Sequence, residues 1–159
     1  MSLGYGDVQS IRNAAKTLHA AGFVVAAAAG NGDFAGVPLN ACLESPAGNP
    51  SSLTVGSTTS ADNESSFSNY GACVDLLAPG SSIKSAWVGS DSAFHTQSGT
   101  SMATPHAAGV AAQYLDLFPT ASASTVINAI KANTTNGVIT LHALSAANGT
   151  PNKLLFTNY

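Results

Sequence analysis

The sequence predicts an α/β fold, a largely parallel sheet with flanking helices, and two patterns carry that prediction. Residues 7–21 place apolar side chains at helical spacing and run straight into a continuous apolar stretch at 23–28, which is half of a β-α-β unit. Further short apolar runs follow at 53–56 and 74–78, bounded by Gly, Pro, Asn and Ser, before a long Ala-rich helical stretch begins at 100. Buried parallel strands read as short continuous apolar runs of this kind.

Taken in order, residues 1–4 read as the end of a strand entering a Gly turn. The first helix, 7–21, carries Val8, Ile11, Ala14, Ala15 and Leu18 on one face, with Asp7 as its N-cap and Gly22 as its stop. Residues 23–28 form the strand that follows. Residues 30–51, rich in Gly, Asn, Pro and Ser, form a long loop, and 57–73 form another. Between them lies the strand at 53–56; after them comes the strand at 74–78, stopped by Pro79-Gly80. Residues 83–88 and 93–97 pair across a Gly89-Ser90-Asp91 turn. The stretch 100–118 has no charge before Asp116 and holds Pro105 in its first turns, where proline is tolerated. It is therefore expected to be buried nearly all round. An amphipathic helix at 122–133 uses Val126, Ile127 and Ile130, and 154–156 is a closing strand.

Composition narrows the function. The chain has 159 residues, 45% hydrophobic and 8% charged, with a net charge of −3. That length suits one domain, and the low charge argues against disorder. No Lys/Arg cluster exists, so a nucleic-acid partner has no electrostatic basis. No apolar run nears the roughly 20 residues of a membrane span. The first residues lack the basic-then-apolar pattern of a signal peptide; a secreted parent would carry its signal upstream. From spacing alone, Cys42 and Cys73 are either a disulfide closing a loop of about 32 residues or two buried thiols. Sequons stand at Asn63, Asn133 and Asn148.

The chemistry concentrates in residues 99–109, Gly-Thr-Ser-Met-Ala-Thr-Pro-His-Ala-Ala-Gly. Ser101 would stand at a helix N-terminus, where free N–H groups and the dipole favour developing negative charge. A hydroxyl there can attack a carbonyl while a neighbouring N–H receives the oxyanion. In isolation, Thr100 or Ser101 would read as an ordinary N-cap, and Asn31 as a turn residue before Gly32.

The full stretch resembles the nucleophile motif of the subtilase family, nearest its proteinase K and aqualysin branch, with Ala107 where Val is usual. Ala28-Ala29-Gly30-Asn31 is similar to the family's oxyanion-hole segment. Met1-Ser2-Leu3-Gly4 is similar to its substrate-binding strand, with Tyr5 where close relatives often carry Gly. Ser66-Phe67-Ser68-Asn69-Tyr70-Gly71, Ala78-Pro79-Gly80 and Pro151-Asn152-Lys153-Leu154-Leu155 also match. The resemblance implies that residues 1–159 are the C-terminal part of a subtilisin-like peptidase domain, a secreted serine endopeptidase acting on protein or peptide substrates. It makes Ser101 the nucleophile and Asn31 the oxyanion donor. Ser2, Leu3, Gly4, Ala28, Ala29, Gly30 and Thr100 become the substrate groove. It also implies a Cys42–Cys73 disulfide and a structural calcium ion on Asp75 with the Pro50 and Ser52 carbonyls; the alternative is that Asp75 caps a turn. No organic cofactor is implied.

Departures from the family pattern matter as much. Its Asp-Ser/Thr-Gly and His-Gly-Thr motifs are missing, and none of the 4 histidines precedes a Gly. His106 is expected to point into packing, and His19 to lie on a solvated helix face. His95 is nearest to Ser101 in sequence but lies in a segment that lines the site without moving protons. Without a base, Ser101 is an ordinary alcohol, so the chain alone is expected to be inactive, with the missing Asp/His segment of the same domain as its necessary partner. The other reading is a non-catalytic pseudo-protease that holds peptides. Having both Ser101 and Asn31 speaks for the enzyme.

Overall fold

A computed structural model describes residues 1–159. Its elements are α1 (Gln9–Ala20), β1 (Ala26–Ala28), β2 (Leu53–Thr58), β3 (Leu76–Pro79), β4 (Ile83–Ala86), β5 (Phe94–Gln97), α2 (Thr100–Leu117), α3 (Ala123–Ala132), β6 (Thr134–Asn136), α4 (Ala143–Ala147) and β7 (Lys153–Leu155). A single 3-10 turn, Ala41–Leu43, interrupts the long first loop. The main sheet runs β1-β2-β3-β7-β6. β1, β2, β3 and β7 are parallel, and β6 is antiparallel to β7. β4 and β5 make a separate antiparallel ribbon, as the sequence predicts.

Side-chain alternation along β3 shows how the sheet separates two cores. Leu76 and Ala78 face a helical layer, where they pack with Leu53, Val55, Ala103, Ala107, Val110, Val126 and Ile130. Leu77 faces the opposite side, among Ala29, Ala41, Ala47, Val74 and Ile139. The second layer is loop rather than helix. It is held by the Cys42–Cys73 disulfide, with Cα atoms 5.2 Å apart, and by Arg12. From α1, Arg12 donates to the Gly48 and Cys42 carbonyls at 2.8 Å each.

Several sequence expectations need correction. Asp7 is not the N-cap of α1: Val8 holds that position without a side-chain cap, and Asp7 pairs with Arg12 at 2.9 Å instead. Only Ala15 of the anticipated α1 face is fully buried, and Leu18 remains 44% exposed. The strand expected at 23–28 shrinks to Ala26–Ala28, because Phe23 lies 61% exposed ahead of it. Residues 1–4 are not a strand, although Met1 bridges to Ala26 and Ala28 through its backbone. Most consequential is α2. Its buried residues are Thr100, Ala103, Thr104, Ala107, Val110 and Ala111, a single stripe at helical period. Pro105, His106, Ala108, Gly109 and Ala112 are exposed. An uncharged run of small residues thus has one covered face and one bare face.

Candidate active site

Ser101 begins α2 one residue after Thr100. The chain reaches it from the end of β5, and the Gly99 N–H donates back to the Gly80 carbonyl, just after β3, at 2.8 Å. At the helix start the Ser101 N–H has no partner within the chain, as first-turn amides do not.

Asn31 arrives from the far end of β1. Its Oδ1 accepts twice from Thr100, from the backbone N–H at 2.8 Å and the hydroxyl at 2.9 Å. That hydroxyl also accepts from the Gly30 N–H at 3.1 Å. With the amide oxygen so committed, the Nδ2 group is left free to donate. It lies beside Gly99, 3.3 Å from where a β-carbon there would sit. A neutral donor oriented in this way beside an unpaired helix-start N–H is the arrangement that stabilises an oxyanion.

Asn69 sets the position of Asn31, a role that sequence reading did not assign although it lies in a matched motif. Fully buried, it donates to the Ala29 carbonyl at 3.0 Å and accepts from the Gly32 and Leu39 N–H groups at 2.8 Å each. Gly30, at φ +105°, must be glycine, since a β-carbon would stand 2.2 Å from Asn69 Nδ2.

The expected groove residues divide. Ser2, Leu3 and Gly4 are exposed, and the Leu3 and Gly4 backbone groups pair with nothing in the chain, so they are open to an extended peptide. Thr100 is fully buried, as are Ala28 and Ala29. These three cannot line a groove with their side chains; Thr100 orients Asn31 instead.

No base faces the hydroxyl. Ser101 Oγ donates to the Ser2 carbonyl at 3.0 Å. His95 stacks on Trp87 with ring centroids 4.6 Å apart. His19 is half-buried, bonded to Ser124 at 2.9 Å, and His142 holds the N-cap position of α4 without a side-chain cap. His106 does not point into packing. It is exposed, with Nδ1 2.9 Å from the Met102 carbonyl, because the face of α2 that carries it is bare. Along that face an open cleft of about 670 Å³ runs from Ser101 past Met102, Pro105, His106 and Gly109 to Phe156. Asn31 is not among the residues that line it.

The subtilase family pattern matches residues 1–153. The chain belongs to the subtilase family. Subtilase relatives include an extracellular serine proteinase of Thermus sp. (strain Rt41A), 46% identical over all of this chain and 37% of that protein. A subtilisin-like serine protease of Sarocladium strictum, AsES, is 48% identical over 98% of this chain and 37% of its own. The crystal structure of a cold adapted subtilisin-like serine proteinase superposes with a TM-score of 0.89 at 43% identity, covering 100% of this chain and 54% of that one. The chain has a subtilisin-like fold, and it spans little more than a third of the length of these curated relatives.

The subtilase calcium expectation does not fit the residues present. Asp75 Oδ2 accepts from the Thr54 N–H at 2.8 Å, and Oδ1 is held in a salt bridge by Lys131 Nζ. Asn49 is occupied too, donating to the Arg12 carbonyl and accepting from the Ser51 N–H at 3.0 Å each. Calcium asks for six to eight oxygens, and the single carboxylate here already faces an ammonium. Nearby, burial raises the Glu44 carboxyl above its ordinary range, with Arg12 opposing in part.

Proposed function

We propose that the chain is the serine-bearing part of a secreted serine endopeptidase domain. Ser101 attacks the scissile carbonyl and forms an acyl-enzyme. Asn31 Nδ2 and the Ser101 N–H receive the oxyanion, and the backbone of Leu3 and Gly4 aligns an extended protein or peptide substrate. An Asp/His segment of the same domain supplies the base. It would approach from the cleft side of Ser101 and cover the bare face of α2. The observation that carries this reading is the double hydrogen bond from Thr100 to Asn31. It aims an amide donor at the nucleophile's helix end, which a chain with no oxyanion to hold would not require. Secretion is supported by the extracellular Thermus relative and by the disulfide, which persists in oxidising compartments.

The test is fluorophosphonate labelling with mapping of the modified residue. The chain alone is expected to stay unlabelled, because in subtilisin the loss of the His alone costs about 2 × 10⁶ in turnover. Mixed with the Asp/His segment of a close relative, it is expected to label at Ser101. Labelling of the chain alone at Ser101 would overturn its inactivity. Failure in the mixture, with the segment shown to be bound, would favour the pseudo-protease reading.

A further inference from the structure

The carboxylate that the family resemblance assigns to calcium is already neutralised from within the chain. Asp75 enters β3 with its backbone and side chain both tied to Thr54: its N–H donates to the Thr54 carbonyl at 2.9 Å, and its Oδ2 accepts from the Thr54 N–H. Its remaining oxygen, Oδ1, faces a pocket of about 250 Å³ lined by Gly48, Asn49, Pro50, Ser52 and Cys73, and there Lys131 Nζ meets it. The Asp75 side chain is 16% exposed and the Lys131 side chain 38%. Lys131 occupies the last turn of α3, where a cation also favours the helix dipole. Its own carbonyl accepts from Lys153 Nζ at 3.3 Å. One hydroxyl in the pocket, Ser52 Oγ, is buried without a partner, so the pocket is polar and open to an ion once the ammonium leaves.

We propose that Lys131 is the resident cation of this pocket, replacing a calcium ion and making the stability of the Asp75 corner independent of calcium. Two physical reasons support it. A tethered ammonium is present at high effective concentration whatever the medium holds. A divalent ion entering beside it would meet like charge in a half-buried site, where the one carboxylate that would join the Pro50 and Ser52 carbonyls is already paired. Removing the ammonium alone leaves a largely buried carboxylate uncompensated, which is strongly destabilising. In that state the pocket gains its reason to bind a free ion.

Calorimetric titration with calcium and thermal unfolding in calcium or EDTA decide the matter. The wild-type chain is expected to take up no calcium through Asp75 and to melt at the same temperature in both media. Lys131→Met is expected to melt several degrees lower in EDTA and to recover most of that loss in millimolar calcium. Adding Asp75→Asn abolishes the recovery, and Lys131→Arg keeps the wild-type indifference. Stoichiometric wild-type binding that Asp75→Asn removes would overturn the proposal. So would a Lys131→Met melting point that is unchanged, or one that falls and ignores calcium. Should Lys131→Met fail to fold, calcium uptake by wild type against Asp75→Asn still separates the two outcomes.

Discussion

On one side of Ser101, Asn31, Thr100 and Gly30 are locked together by hydrogen bonds of 2.8, 2.9 and 3.1 Å, with Asn69 bracing them from the core. On the other side, Met102, Pro105, His106 and Gly109 border an open cleft of about 670 Å³, and the hydroxyl finds only a backbone carbonyl. The two halves of the site therefore differ in what they need. Charge stabilisation depends on backbone positions and one amide, all local to the crossing of β1 and α2. Proton transfer depends on an imidazole bonded to the Ser101 hydroxyl, and His106, the imidazole on that cleft, is bonded to the Met102 carbonyl instead. On the proposed reading, the site divides its electrostatic from its acid–base function, and this chain carries the first.

The largest test of that contrast is Asn31→Ala in the reassembled protease. Turnover should fall by about 10²–10³ with substrate affinity little changed, the known cost of removing the equivalent donor from subtilisin itself; a loss confined to KM would show that Asn31 only binds substrate. The next compares the two faces of α2. Leu53→Ala, beneath the covered face, should cost about 2–5 kcal/mol, while Ala112→Ser on the bare face should stay within about 0.5 kcal/mol, both by denaturant unfolding of the 159-residue chain. Equal costs would mean that the bare face is covered in solution. The smallest concerns Glu44, whose folded carboxyl is raised chiefly by burial. A raised acid adds stability while protonated and loses it as pH climbs through the folded value. Glu44→Gln should therefore raise the melting temperature slightly at neutral pH. The difference should vanish in acid that protonates Glu44 in both folded and unfolded states.

Much of this was legible in the sequence because the signals were local. The parallel strands followed from Val55 and Leu76–Leu77 lying in short apolar runs, and the pairing of β4 with β5 from a turn sequence between them. β6 and α4 were missed because Thr134-Thr135-Asn136 has no apolar period and a five-residue helix has no room for one. The burial of α2 was misjudged because an Ala-rich helix carries no charge on either face, so periodicity cannot say which face is covered. Within the site, Ser101 and Asn31 were readable from their motifs. Asn69 and the inward turn of Thr100 were not, since both act through groups 37 and 69 positions away. Lys131 is likewise separated from Asp75 by 56 positions, and nothing near either residue announces the other.

The Cys42–Cys73 bridge has a consequence for where such a chain endures. It closes a segment with a sequence separation of 31, worth roughly 3–4 kcal/mol by the loop-entropy estimate. A domain's whole margin is only about 5–15 kcal/mol. The loop layer beneath the sheet has no helix to replace that contribution, so the surroundings become part of the fold's thermodynamics. Outside the cell the molecule is set; among reductants, a large fraction of its reserve is gone before any heat or denaturant is applied.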